Sequence, residues 1–571
     1  MKKLFSLLIF SIFIFSITAC DIANTTSDTG IATVESSLPT YEAIDEQADM
    51  TEIDDTIQFS NTGIVSLNQQ VSIDDSVVSI TQGGTYVLQG VCSDVSIYIE
   101  VKSTQQVVLV LDSVSLSSAT GPVIYAEQSN KLIINLAAGT MNYLSDSTDS
   151  TSEVKSTIFS NDDITVNGSG ALTIHANYNN GINTDDDLLI TGGTITIIAQ
   201  NDGLKANDSI VIKAADLTIT AGNDGIHCEN TEDSAKGTIK IENGNITIDA
   251  YGDGLDSSSI ITIFNGTFVL NSGVGNANVD TVSGKGIKAV DNIGILDGIF
   301  VIVSKDDAIH TNNQIAIVGG TFTITASDDG IHADTTLTIE GGTIDILKCY
   351  EGLEALNVVI SGGDISLISS DDGINVAGGN DASGSQWDPR VSTGNASLII
   401  SGGTIYINSA GDGLDANGSI AMSGGLVIVN GPTSSNNGAI DYDSTFLLTG
   451  GTLIAAGSSG MAQNVSAAST QYSVMVNLAL ASAKLIRILD SDGLEILTFI
   501  PSKNVQSVVI SSESFVKGET YSVYIGGSVA NPTSNIHGFT AGGTYSDGVL
   551  YKTFAFSAMT MTVGTSSTFP R

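Results

Sequence analysis

Carboxylates recur in this chain at one place in a repeating unit, in a pattern suited to holding a hard cation. The unit is [polar]-Asp-Gly-[Ile/Leu], and its large apolar residues are Ile182, Leu204, Ile226, Leu255, Ile287, Ile309, Ile331, Leu353, Ile374, Leu414 and Ile440. Two positions before each stand Asn180, Asp202, Asp224, Asp253, Lys285, Asp307, Asp329, Glu351, Asp372, Asp412 and Gly438, eight of eleven being acidic. The position after each is always polar or charged: Asn183, Lys205, His227, Asp256, Lys288, His310, His332, Glu354, Asn375, Asp415 and Asp441. Asp306, Asp328 and Asp371 form a third, partial row, and Asp334 adds one more acid. Carboxylates stacked at the strand spacing of about 4.8 Å repel by about 3.5 kcal/mol per adjacent pair at an effective dielectric near 20, and by under about 1 kcal/mol in bulk water. Calcium relieves such repulsion, because it accepts six to eight oxygens in flexible geometry. Asp202, Asp224, Asp253, Asp307, Asp329, Glu351, Asp372 and Asp412, with Asp256, Asp328, Asp371 and Asp415, are the candidate calcium ligands. Asp-Gly is also a favourable turn pair. That explains one Asp per repeat but not the additional acids.

The elements that must position these residues follow from the spacing. Successive apolar residues are separated by 22, 22, 29, 32, 22, 22, 22, 21, 40 and 26 positions. A second ladder, in Gly-Gly-Thr-[Ile/Phe] context, runs through Ile195, Leu217, Ile246, Phe268, Phe300, Phe322, Ile344, Ile365, Ile405, Val427 and Leu453. In unbroken repeats the two ladders are offset by 13 and then 9 residues, which sum to 22. A fixed period in this range marks a stacked-repeat architecture. Segments such as Leu188–Ile198 alternate aliphatic residues with Thr between Gly and Asp, so each repeat holds two or three short strands and tight turns. That is too little for a propeller blade and fits one coil of a parallel β-helix, an all-β solenoid whose coils bury their apolar rows against one another.

Four insertions break the spacing, near Glu229–Lys236, Asn271–Gly284, Ala377–Asn395 and Gly431–Asn436. The period recovers after each, so they are loops at coil corners, where binding surfaces often sit. The longest holds Trp387, the sole Trp of the chain, and Arg390. Trp387 is a candidate sugar platform or, equally, a side chain packed down onto the coil, and Arg390 is a candidate sugar contact beside it. Lys205 and Lys288 are the only lysines in the row after the ladder. They are candidates for contact with an acidic sugar or, more simply, for neutralising the acidic row. His310 and His332 lie one repeat apart on that same row, where they are candidates for binding a metal or, more simply, unremarkable histidines expected to face solvent.

Composition narrows the function classes. The 571 residues carry 62 acids against 20 basic residues, a net charge of −42. Nucleic acid requires a basic surface and is therefore a poor partner. The start, Met1-Lys2-Lys3 followed by an apolar run from Leu4 to Ile17 and then Thr18-Ala19-Cys20, reads as a secretory signal. A cysteine at the cleavage point resembles a lipoprotein signal with Cys20 as the lipidated residue. Residues 21–55 read as a flexible tether rich in Ser, Thr, Asp and Glu. Cys92, Cys228 and Cys349 have no paired spacing, so neither a disulfide nor a zinc site is expected, and Cys228 should point inward. The chain is read as a monomer.

Segments such as Ile158–Gly168, Asn179-Asn180-Gly181-Ile182 and Asp371–Asp381 resemble bacterial cell-surface proteins of the carbohydrate-binding domain-containing family. The resemblance runs from about Thr56 to Ile525. It implies a right-handed parallel β-helix with bound calcium, similar in shape to family 9 polysaccharide lyases, and binding of acidic plant polysaccharide such as polygalacturonate, or of cellulose. It carries calcium ligands onto Asp202, Asp224, Asp307, Asp329, Asp372 and Asp412, whereas Asn180, Lys285 and Gly438 depart from the pattern. Lyases of that shape use a Lys base beside calcium, a role Lys205 or Lys288 would fill if the chain were an enzyme. No second catalytic group accompanies them, which favours binding over catalysis; a non-catalytic structural or adhesive stalk is the remaining reading. The expected organisation is a signal peptide at 1–20, the tether at 21–55, a β-rich cap and first coils at 56–156, the β-helix at 157–458 and a C-terminal β cap or sandwich at 459–571.

Overall fold

Each 22-residue repeat folds into three short strands, and each strand pairs in parallel with its counterpart one repeat later. The computed structural model describes residues 41–46, 52–150, 152–273, 283–377 and 396–565. In one coil these strands are Leu204–Ala206, Ser209–Ile212 and Asp216–Ala221. Leu204 pairs with Ile226, Ile210 with Ile239, and Leu217 with Ile246. Both apolar ladders therefore run inside a parallel β-helix, and Ile182, Leu204, Ile226 and Leu255 are fully buried. Phe268, Phe300 and Phe322 stack face to face with centroids 4.6 Å apart and planes within 4° of parallel. That separation is close to the rise between paired strands, so the coil pitch itself sets the aromatic stack.

The spacing irregularities have local causes. Residues 229–236 form a corner between Cys228 and the strand Thr238–Ile241. The 21-residue step arises where the first two strands of a coil fuse, as in Ile331–Ile339 and Leu353–Ile360. There Ala333 pairs with Ala355 but Thr336 with Asn357, so the second coil is one residue shorter at that corner.

Both ends of the stack are covered, as open strand edges require. At the N-terminal end Asp55–Ser60 pairs antiparallel with Gly63–Ser66, and Ser72–Asp74 with Val77–Ile80. At the other end Val505–Ser511 lies antiparallel to the last coil strand, Thr452–Gly457. A separate six-stranded sheet, including Ile486–Leu489, Glu495–Phe499 and Thr520–Ile525, completes that end.

Part of the stretch read as a tether is docked rather than loose. Ala43–Glu46 is a short helix. Asp45 Oδ1 accepts from Lys131 Nζ at 2.9 Å and from Thr165 Oγ1 at 3.0 Å. Asn167 Nδ2 donates to Ile44 O at 2.9 Å, and Tyr41 donates to Glu242 Oε1 at 2.5 Å. Cys92, Cys228 and Cys349 are free and buried, with Cys228 inward as expected. Cys20, Trp387 and Arg390 lie outside the described residues. Among the described residues no helix is long and apolar enough to cross a membrane.

Candidate functional site

The acidic row sits at the corner that enters the first strand of each coil. The glycine after each Asp is there for room rather than for a left-handed backbone: Gly203, Gly225 and Gly373 are absent from the positive-φ positions. A Cβ on Gly203 would lie 2.6 Å from Gly225 O and 2.4 Å from Ile219 Cγ2. Adjacent coils thus approach too closely at this corner for any side chain. The turn-pair reading of Asp-Gly is corrected accordingly, since close packing of coil on coil fixes the glycine.

The Asp itself stitches coils together. Asp202 Oδ1 accepts the backbone N–H of Asp224 at 3.2 Å, Asp224 Oδ1 that of Asp253 at 2.7 Å, and Asp253 Oδ1 that of Lys285 at 2.7 Å. The pattern continues from Asp307 to Asp329 at 2.9 Å, from Asp329 to Glu351 at 3.0 Å, and from Asp372 to Asp412 at 2.6 Å. Each side chain thereby satisfies a buried backbone donor that would otherwise be costly. One carboxylate oxygen is used in this way, and the other, Oδ2, points along the corner toward the row that follows the ladder.

What Oδ2 meets divides the row into two halves. In the N-terminal half it meets the chain's own cations. Lys288 Nζ lies 3.0 Å from Asp253 and 3.2 Å from Asp256. Lys285 Nζ lies 2.7 Å from Asp307 Oδ2 and 2.9 Å from Asp306 Oδ1. His227 Nδ1 is 3.0 Å from Asp224 Oδ2, His310 Nδ1 is 2.9 Å from Asp307 Oδ2, and Lys205 Nζ is 3.9 Å from Asp202. Burial opposes ionisation of Asp307, yet the His310 hydrogen bond and the charges of Lys285, His310 and His332 hold its carboxyl well below the usual range. Burial alone would lower Lys288, but Asp253 and Asp256 hold its ammonium well above the usual lysine range. Lys288 is thus placed to neutralise Asp253 and Asp256.

In the C-terminal half the acids face one another. Glu351 accepts from Asn375 Nδ2 at 2.6 Å. Among the described residues no lysine, arginine or histidine pairs with Glu351, Asp372, Asp412 or Asp415. Burial first, and then neighbouring carboxylates, push Glu351 up to about 8, Asp372 to about 7 and Asp415 to about 8. Burial and Asp441 push Asp412 up to about 6. Asp328 is also raised, to about 7, by burial and by Asp329, Asp307 and Asp306. This donor set is all oxygen, crowded and short of positive charge, which fits a hard divalent cation such as calcium. Asp371 lies beside it and adds to the charge felt by Glu351 and Asp372.

His310 and His332 do not face solvent: they are 3% and 2% exposed, with ring centroids 4.9 Å apart. Strand alternation predicted an outward row, but here His310 lies against Asp307, and His332 against Asp329 and Glu354, within the acidic corner. A polar cavity of about 430 Å³ opens near the first insertion, lined by Lys205, Asn207, Asp208, Glu229, Asn230 and Lys236 among others. Lys236 is tied to Asp208 at 2.6 Å.

The family described as carbohydrate-binding domain-containing protein matches this chain over residues 74–330 and 325–373, more than half its length. The chain belongs to that family. A carbohydrate-binding domain-containing protein of Acetivibrio thermocellus is 42% identical over 235 residues, covering 40% of this chain and 78% of the relative. A polysaccharide lyase-like protein from C. thermocellum, solved as a gadolinium derivative, is 36% identical, with a TM-score of 0.40 over 43% of this chain and 97% of that one. The matched family region covers the corner from Asp202 to Asp372, while Asp412, Asp415 and Asp441 lie beyond it.

Sequence reasoning missed Lys503. Its ammonium donates to the carbonyls of Ser409, Asn430 and Gly431, the last two at 3.0 and 3.2 Å, and burial lowers it to about 8. It fastens the C-terminal region to a coil corner, and no repeat signal marks it.

Proposed function

We propose that the protein is a surface lipoprotein, anchored through Cys20, that binds acidic polysaccharide through calcium held on the C-terminal half of the acidic row. The observation that carries this reading is the crowding of Glu351, Asp372, Asp412 and Asp415 without a compensating cation among the described residues. These carboxylates, with Asp371 and Asp441 beside them, would hold the ion. Bound calcium supplies a positive charge that both the protein carboxylates and a uronate carboxylate can share. Two negatively charged polymers attract one another only through such a shared ion. Polygalacturonate is the ligand this chemistry favours, with the protein acting as a monomer and without nucleic acid as partner.

Binding is favoured over catalysis by the state of the lysines. A lyase base must accept a proton, whereas Lys288 is clamped as an ammonium between Asp253 and Asp256. Lys205, beside the polar cavity, is the remaining base candidate. The test is calorimetric titration of polygalacturonate into the chain with calcium and then with chelator. Heat only with calcium supports the reading, and unchanged binding after calcium removal sinks it. A calcium-dependent rise in unsaturated-product absorbance, lost in Lys205→Ala, would instead assign a lyase.

A further inference from the structure

We propose that Asn375 is a ligand of the ion on the C-terminal half of the acidic row, giving it a neutral oxygen through Oδ1. The inference deepens the proposed function and rests on its placement of calcium there, but not on the polysaccharide. Asn375 is 8% exposed. The two polar atoms of its amide are used unequally. Nδ2 donates to Glu351 Oε2 at 2.6 Å. Oδ1 is buried and has no hydrogen-bond partner among the described residues. A buried acceptor left without a donor costs about 1–3 kcal/mol, and native structures hold few such atoms.

The oxygen is orphaned because of where it stands. In the row that follows the ladder, Asn375 pairs with Glu354 on the coil before and with Asp415 on the coil after. Ionised carboxylates accept hydrogen bonds and donate none. Turning the amide over does not help, because it would set an acceptor 2.6 Å from Glu351 Oε2. The bond to Glu351 therefore fixes which atom is Nδ2 and which is Oδ1. The two atoms of one amide are about 2.3 Å apart, so Oδ1 lies within about 5 Å of Glu351 Oε2. Oxygens at that separation or closer can share one calcium, whose ligands lie about 2.3–2.6 Å from it.

The comparison within the chain sharpens the choice. In the N-terminal half the same row position carries Lys205, His227, Lys288 and His310, which meet the acids directly. Asn375 brings no charge of its own, so the positive charge has to come from an ion. Asp372 Oδ1 is committed to the N–H of Asp412, and Asp412 Oδ1 to that of Gly438. Asp372 Oδ2, Asp412 Oδ2 and the carboxylates of Glu351 and Asp415 remain as ion ligands on this stretch. An amide oxygen adds a ligand without adding to the repulsion among them. Calcium takes Asn carbonyls beside carboxylates and accepts six to eight oxygens, whereas magnesium holds to a tight octahedron and keeps its waters. A crowded oxygen set drawn from successive coils suits the larger ion.

The test is calorimetric titration of calcium into the full chain and its variants, stripped of calcium beforehand, with denaturant unfolding in chelator to show that each variant is folded. Asn375→Ala should weaken calcium binding by about 10-fold or more. Asn375→Asp keeps an oxygen and loses the amide N–H. It should retain or raise calcium affinity while lowering stability in chelator, since it adds a carboxylate to acids that already repel. A role confined to the Glu351 hydrogen bond predicts instead that Asn375→Asp loses calcium as Asn375→Ala does. Unchanged calcium affinity in Asn375→Ala, the result expected if only water meets Oδ1, or an equal loss in both variants, would overturn the proposal. Asp415→Asn separates the two readings. If it leaves calcium affinity untouched, the placement of calcium fails and this proposal with it; if it weakens calcium and Asn375→Ala does not, only the role of Asn375 fails.

Discussion

Neutralising Asp415 should change the stability of the protein in opposite directions with and without calcium. Asp415 is pushed up to about 8, first by burial and then by Asp372, Asp412, Asp441 and Asp443. Because this exceeds the ordinary carboxylate value of 3.8, the folded chain holds the proton more tightly than the unfolded chain. Metal-free stability is therefore greatest at low pH and falls as pH rises from about 4 toward 8. Above pH 8 a single repulsive contact at the coil spacing costs about 3.5 kcal/mol at an effective dielectric of 20. The whole displacement from 3.8 to about 8 corresponds to about 6 kcal/mol. Asp415→Asn in chelator at pH 9 should accordingly stabilise the fold by about 3–6 kcal/mol, falling to about 1–2 kcal/mol at pH 5. With saturating calcium the same substitution removes an ion ligand and should destabilise the chain relative to wild type. The assay is denaturant unfolding at pH 5 and pH 9, in chelator and in calcium. A shift of the same sign in both ionic conditions, or an equal gain at both pH values, would refute the reasoning.

Lys288→Ala should cost about 3–5 kcal/mol in chelator, because it leaves Asp253 and Asp256 buried without their cation; unfolding experiments should show part of that loss restored by calcium. Gly203→Ala places a Cβ 2.6 Å from Gly225 O and should destabilise by about 1–3 kcal/mol, measured in the same way. Phe300→Ala opens the middle of the aromatic stack and should cost about 3–5 kcal/mol, read as a lower unfolding midpoint. Cys228 and Cys349 are buried, and burial pushes Cys349 up to about 12 and Cys228 higher still; a thiol-reactive dye should label them only after denaturant is added.

The period made the solenoid legible before any coordinates, because Ile182, Leu204 and Ile226 each need the same neighbour above and below. The Phe268–Phe300–Phe322 stack follows from the same register. The work of the Asp row was less visible. A hydrogen bond from Asp224 N–H to Asp202 Oδ1 spans 22 positions and leaves no local trace, so the acids read as ligands alone. Lys285 reads as a departure from the acidic pattern, yet its ammonium is the counter-charge of Asp306 and Asp307. The burial of His332 was missed because strand alternation assumes one wet face, and a coil corner need not have one. The division of the row into compensated and uncompensated halves depends on where each lysine head group reaches, which residue order does not specify.

The most direct test of the central claim is anomalous diffraction from crystals of the chain grown with calcium and a short galacturonate oligomer. Calcium peaks should lie among Glu351, Asp372, Asp412 and Asp415, with a sugar carboxylate on at least one ion and none at the Lys288-clamped Asp253–Asp256 pair. Oligomer bound elsewhere with no ion between sugar and protein, or calcium confined to the N-terminal half of the row, would contradict it.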